Sequence, residues 1–173
     1  SSFENKNNIA LINKDFIKPT IKAMNDLGYP FKGILYAGLM FTKSDIYLIE
    51  YNIRLGDPEC QAIMSRLKNN FLDLCLATEK NKMEKIRLKI ENKVSICIVL
   101  ASKGYPENYK LGHIINGLEN FRNKNSASIY HAGTKIDDKK NFITSGGRVL
   151  NLVVKKKSLK LAQSEAYRLI NSI

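Results

Sequence analysis

An α+β fold follows from three features of the 173-residue sequence. Apolar residues recur at helical spacing in two stretches of the first half, and two strand-like runs follow one another there with no helix between them. The second half is a series of strand-like runs closed by one amphipathic helix. Strands that succeed each other directly favour antiparallel pairing over a repeated strand–helix–strand unit.

The elements can be justified in chain order. Thr20, Met24 and Leu27, with Ile21 beside them, fall at helical spacing; Pro19 suits a first turn and Gly28 a stop, so a helix is predicted from Pro19 to Leu27. After the loop GYPFKG, the runs GILYAGLMFT and DIYLIEYNIR meet at a short polar turn and predict an antiparallel hairpin. Beyond GDPE, Ile63, Met64, Leu67, Phe71, Leu74 and Cys75 recur at threes and fours, which predicts one long amphipathic helix. The stretch EKNKMEKIRLKIENK is strongly charged and marks an expected boundary, giving one domain over residues 1–92 and a second over residues 93–173. The second opens with VSICIVLAS and passes through KGYPENYKLGH to the strand-like ASIYHAGTKI and RVLNLVVKK. It ends in the helix SLKLAQSEAYRLINSI, with Ser158 as N-cap.

Composition narrows the function classes. No apolar run approaches the roughly 18–20 residues that cross a bilayer, and SSFENKNNIALINKDF lacks the uncharged core of a secretory signal, so no membrane partner and a cytoplasmic location are expected. Cys60, Cys75 and Cys97 are odd in number and widely spaced among apolar neighbours; they read as small core or boundary residues and not as a disulfide framework. The net charge of +12 permits a phosphate-rich partner, but Lys is spread along the chain and only Lys155–Lys157 forms a compact run. Tyr and Phe sit mostly in apolar runs and do not interleave with clustered cations, so nucleic acid is not expected as a partner.

The chemistry concentrates in YLIEYNIRLGDPE, residues 47–59. Strict alternation along a strand places Ile46, Leu48, Glu50, Asn52 and Arg54 on one face and Tyr47, Ile49, Tyr51 and Ile53 on the other. Residues two apart lie about 6.5–7 Å apart at Cα, so the Glu50 carboxylate and the Asn52 amide oxygen can meet at one hard cation. Mg²⁺ takes such oxygens and completes its shell with water and phosphate. Arg54 offers a planar fork for a carboxylate or phosphate. Gly56 frees the backbone, Asp57 can cap the next helix, and that helix's N-terminus would add bare N–H groups for an anion. The same residues also fit a plain surface ion pair between Glu50 and Arg54 with GDPE serving only as a cap. In the second half, the paired glycines of GGRV mark a close backbone approach, and Arg148 either helps to enclose a site or is an exposed residue at a glycine turn. His131 in HAGT reads as a hydrogen-bonded structural residue.

The strings GILYAGLM, IEYNIRLGDPECQAIMSRL, HAGT and GGRVLNL, in this order, resemble the phosphoribosylamine–glycine ligase (glycinamide ribonucleotide synthetase) family of the ATP-grasp superfamily. The resemblance runs from about Pro19 to the end of the chain. It implies that residues 1–92 are the C-terminal portion of an ATP-grasp catalytic domain and that residues 93–173 are the small strand-rich C-terminal domain. The reaction it implies joins glycine to 5-phosphoribosylamine through a glycyl phosphate, with ATP as co-substrate yielding ADP and phosphate, in purine biosynthesis. Glu50 and Asn52 would then be ligands of Mg²⁺ or Mn²⁺, Arg54 the catalytic cation, and Arg54, Gly56 and Asp57 the binders of the glycine carboxylate, with Arg148 closing the site. The family's N-terminal part, including its Gly-rich phosphate loop, has no match here, so the chain is expected to be an incomplete ligase that is inactive alone. Another ATP-grasp carboxylate–amine ligase would share the metal-bearing strand but not LYAGLM, HAGT and GGRV together.

Overall fold

A computed structural model describes residues 6–121 and 125–173; the first five residues of the N-terminal stretch quoted above lie outside the described residues. The fold is α+β. The chain divides into two compact units, one formed by residues 1–56 and 70–87, the other by residues 57–69 and 88–173.

In the first unit, α1 (Lys6–Ile12), a π-helical turn (Asn13–Ile17) and α2 (Lys18–Asp26) follow without a break. Pro19 sits in the first turn of α2, where its missing N–H costs least. Gly28, at φ +82°, ends the helix: Tyr29 N–H donates to Met24 O and Gly28 N–H to Asn25 O, satisfying two of its last carbonyls. The hairpin pairs β1 (Tyr36–Phe41) with β2 (Ile46–Asn52), and the turn closes through Thr42 N–H and Asp45 O at 2.9 Å. Tyr51 ties the hairpin to the helical segment, its hydroxyl donating to Phe16 O at 2.9 Å and lying 2.7 Å from Thr20 Oγ1.

The single long helix expected after GDPE is instead two. α3 (Glu59–Met64) ends at Ser65, and α4 (Phe71–Glu79) begins anew with Asn70 as N-cap, its Oδ1 accepting from Leu72 N–H at 3.0 Å. Between them, Lys68 N–H donates to Lys89 O and Lys89 N–H to Asn69 Oδ1, so the Lys-Asn-Asn stretch pairs with an extended segment. Periodicity counted apolar residues but not the competition that an Asn amide offers to helical hydrogen bonds. Cys75, expected in the core or at its boundary, lies exposed on α4, while Cys60 and Cys97 are half-buried.

The second unit is built on β7 (Arg148–Lys156), which pairs antiparallel with β3 (Val94–Ala101) on one side and β4 (Ala127–His131) on the other. The hairpin of β5 (Thr134–Ile136) and β6 (Phe142–Thr144) adjoins it in sequence. Leu152 and Val154 are fully buried against Phe121, Ala127 and α5 (Leu159–Ile170), whose inward stripe is Ala162, Ala166 and Leu169. Ser158 caps α5 as expected, its Oγ accepting from Leu161 N–H. The opposite face of β7 carries Asn151 and Val153, each 2% exposed, and α3 packs against β3 and β7. Among the described residues, no helix is long and apolar enough to cross a membrane.

Lys155, near the end of β7, fastens this second face. Its Nζ donates to Ser65 O just past α3 at 2.7 Å and to Glu91 Oε2 at 2.8 Å, and Lys93 approaches the other Glu91 oxygen at 2.6 Å. Hydrogen bonds from Lys155 and then Lys93 hold the Glu91 carboxyl at about 2, well below its usual 4.5. A carboxyl depressed in the folded state stabilises the fold above its unfolded pKa, and that contribution is lost as pH falls from about 4.5 to about 2. Glu91→Gln should therefore be less stable than the parent in chemical denaturation at neutral pH, with the gap closing as acid approaches pH 2. A gap that persists unchanged in acid would show that the ion pairs are not its cause.

Candidate functional site

The hairpin brings Glu50 and Asn52 together, but not by the strict alternation expected of the strand. Gly38 faces Glu50 while Leu39 faces Leu48, leaving Ile49 as an extra, unpaired residue. This β-bulge reverses the faces across it. Glu50 and Asn52 share a face with Tyr47, whereas Ile46 and Leu48 lie with Tyr51 on the other, so the expected grouping of Ile46 and Leu48 with Glu50 is corrected. The period-two rule fails because one inserted residue shifts it by a full step.

On the Glu50 face, Asn52 Nδ2 donates to Glu50 Oε1 at 2.7 Å. Gly38 makes the room: a Cβ there would stand 3.1 Å from Glu50 Cγ. In this geometry Asn52 turns its amide nitrogen to the carboxylate; carboxylate and amide oxygens at this spacing are the hard donor types that Mg²⁺ takes with water and phosphate, once the amide is turned over. Tyr51, on the reverse face, lines an apolar cavity of ≈ 220 Å³ with Met24, Phe31, Leu35 and Ile53. That cavity has no charged lining and lies on the wrong side of the hairpin for Glu50.

Arg54 falls outside the strand, which ends at Asn52. It lies exposed in a bend, with Nη1 donating to Leu55 O at 3.0 Å, so its expected place on a regular strand face is corrected. Gly56 is buried. Asp57 is not the helix cap: Pro58 occupies the N-cap position of α3 without a side-chain cap bond, and α3 is only six residues long. The Asp57 carboxylate instead accepts from Gln61 Nε2 at 2.7 Å. No helix N-terminal anion site is built there.

Within the second unit, Arg148 Nη1 donates to Asp57 O at 2.9 Å and lies 3.4 Å from Asp57 Oδ2. A second bulge prepares this contact. Leu100 faces Leu150 while Ala101 faces Arg148, so Val149 is the extra residue and Arg148 turns to the face that carries Val153 and α3. The paired glycines meet the protein's own atoms: a Cβ on Gly133 would stand 2.6 Å from Gly146 Cα, and one on Gly147 would collide with the Tyr105 ring. Backbone bonds from Ser102 N–H to Gly147 O and from Gly133 N–H to Arg148 O, each 2.8 Å, lock the strand end. The close approach read from GGRV is therefore strand end against HAGT turn. His131 is exposed, with Nδ1 2.8 Å from Thr134 Oγ1 and its ring 4.8 Å from that of Phe142, in keeping with a hydrogen-bonded structural role.

The bulges, Gln61 as a partner of Asp57, and Gly38 as the space for Glu50 were missed by sequence reasoning. Of these, only the small residue in a strand, Gly38, left a signal that could have been found.

Two compact units are defined by these features: one of helices and a hairpin that carries Glu50 and Asn52, and a strand-rich one with a terminal helix. Residues 1–60 match the family described as "Phosphoribosylglycinamide synthetase, ATP-grasp (A) domain", and residues 95–173 match "Phosphoribosylglycinamide synthetase, C domain". The chain belongs to the phosphoribosylglycinamide synthetase family. It is 44% identical over 162 residues to the phosphoribosylamine–glycine ligase of Caldanaerobacter subterraneus subsp. tengcongensis, covering 94% of this chain and 38% of that relative. The chloroplastic phosphoribosylamine–glycine ligase of Arabidopsis thaliana is 39% identical over 163 residues, with 92% and 31% covered. The crystal structure of the phosphoribosylamine–glycine ligase from Thermotoga maritima superposes with a TM-score of 0.76 at 28% identity, over 92% of this chain and 38% of that one. The chain thus spans about two fifths of the length of the bacterial relatives.

The thiols provide a check on packing beneath α3. Burial first, then the nearby carboxylates of Asp57 and Glu59, push the Cys97 thiol up to about 11. In the native protein a thiol reagent at neutral pH should modify the exposed Cys75 rapidly and leave Cys97 unmodified until denaturant is added. Equal labelling rates for the two would contradict the packing of Cys97.

Proposed function

We propose that this chain is the metal-bearing C-terminal portion of a ligase that joins glycine to 5-phosphoribosylamine, giving glycinamide ribonucleotide, ADP and phosphate. The observation that carries the reading is the Glu50–Asn52 contact, held on one face of the hairpin by the bulge at Ile49 and the space at Gly38. Family membership supports the reaction, and the names of the relatives are phosphoribosylamine–glycine ligases. On this reading residues 1–92 are the end of the ATP-grasp catalytic domain and residues 93–173 the C-terminal domain.

Glu50 and Asn52 would hold Mg²⁺ or Mn²⁺ against the phosphates of ATP; when bound, the cation neutralises charge that builds on the transferred phosphoryl group. To hold such a cation, Asn52 would turn its amide so that Oδ1 takes the place of the Nδ2 now facing the Glu50 carboxylate. Arg54, released from its bond to Leu55 O, offers its fork to the glycine carboxylate, and the segment at Gly56 and Asp57 borders the same group. Phosphorylation of that carboxylate by ATP makes an acyl phosphate, whose carbonyl the amine of phosphoribosylamine attacks, and phosphate leaves. The work of the protein residues is positioning and charge balance, since an activated acyl group needs no strong protein base. The Gly-rich phosphate loop and adenine-binding residues would come from the upstream portion that the longer relatives carry. Exposed Tyr47, Ile49 and Ile53 on and after β2 are apolar surface available to it. The expected location is the cytoplasm.

The test is a ligase in which this segment follows its upstream portion, assayed for glycinamide ribonucleotide with glycine, phosphoribosylamine, ATP and Mg²⁺. Glu50→Ala should lower kcat by about a hundredfold or more, as expected when a metal ligand worth several kcal/mol in the transition state is removed. Its melting curve should stay close to that of the parent. Near-normal turnover would remove Glu50 from the metal site.

A further inference from the structure

Arg148 stands in an arrangement more elaborate than a surface ion pair requires. The bulge at Val149 turns it toward α3, Gly133 and Gly146 let the strand end pack backbone to backbone, and Gly147 leaves room for the Tyr105 ring. From that fixed base a single guanidinium nitrogen meets both the carbonyl and the carboxylate of Asp57. The other carboxylate oxygen of Asp57 is taken by Gln61. Asp57 is thus held at its main chain by Arg148 and at its side chain by Arg148 and Gln61 together.

The energetics argue against a purely stabilising purpose. Both side chains of the pair are more than two-fifths exposed, at 43% and 44%. Half-solvated pairs contribute little to stability because water already satisfies the charges. A charge-assisted bond to a main-chain carbonyl, however, fixes the orientation of a peptide unit. The peptide unit held here is Asp57–Pro58, next in sequence after Arg54 and Gly56, the stretch to which the ligase reading assigns the substrate carboxylate.

We propose that Arg148 is a positioning residue: acting through Asp57, it orders the Gly56–Asp57 segment to receive the carboxylate of an amino-acid substrate. This deepens the ligase reading and rests on it for the identity of that substrate. The proposal replaces a direct enclosing role for the Arg148 guanidinium, whose nearer donor is already committed to Asp57.

Two measurements test it. Hydrogen exchange on the 173-residue chain reads the clamp without any assumption about function. Arg148→Ala should speed exchange across residues 56–61 by about tenfold or more while the β3–β7 amides keep their protection, and Arg148→Lys should fall between. Unchanged exchange in this segment would overturn the clamp. In the longer ligase, Arg148→Ala should raise KM for glycine by about tenfold with KM for ATP unmoved, the pattern of a lost binding arrangement, and Arg148→Lys should restore part of it. A loss confined to kcat would instead place the guanidinium on the reacting groups and overturn the proposal. If the unaltered ligase forms no glycinamide ribonucleotide, the substrate assignment fails with the ligase reading, and the exchange result still decides whether Arg148 orders the segment.

Discussion

The second unit depends on β7 being covered on both faces. A strand with a neighbour on each side and a layer above and below can bury its whole central run, and from Val149 to Val154 every residue is buried. One layer is α5, through its alanine and leucine stripe. On the other side α3 packs, a helix too short to be stable by its own hydrogen bonds. Two cations of β7 bracket it: Arg148 meets Asp57 just before the helix, and Lys155 meets the Ser65 carbonyl just after it. Lysine near a helix C-terminus complements both the unpaired carbonyls and the dipole. The strand therefore supplies core and clamps together.

Register shifts of one residue decide which face the polar side chains of β2 and β7 take. The bulge at Ile49 separates Glu50 from Ile46 and Leu48 and leaves it on a face with Asn52 and Tyr47. The bulge at Val149 takes Arg148 off the face that Leu150 and Leu152 share with α5 and delivers it to Asp57. In both strands an extra residue turns a polar side chain to a different face without a break in pairing. Glycine accompanies each case, since Gly38 leaves space for Glu50 and the Gly133–Gly146 contact admits the end of β7. The family's ordered motifs thus mark places where backbone geometry, as much as side-chain chemistry, is constrained.

Much of this architecture was legible in the sequence because it rests on local rules. The α2 helix with its Gly28 stop, the β1–β2 hairpin, the strands of the second unit and the Ser158 cap each follow from neighbours within a few residues. The pairing of Glu50 with Asn52 was legible for the same reason, being a matter of two positions on one strand. The helix expected to run past Met64 was not, because its break depends on Asn69 and Asn70 bonding to backbone groups, one of them twenty residues away.

The sequence by itself determined the fold class, the family and the residue types at the candidate metal site, since these depend on periodicity, turn chemistry and ordered motifs. Tertiary structure alone decided the faces and the partners. Strand pairing placed the bulges, which set the direction of Glu50 and Arg148; contacts between residues 91 and 90 apart gave Asp57 its partner and Lys155 its helix end. Those outcomes depend on which backbone groups meet across space, and no local pattern records that.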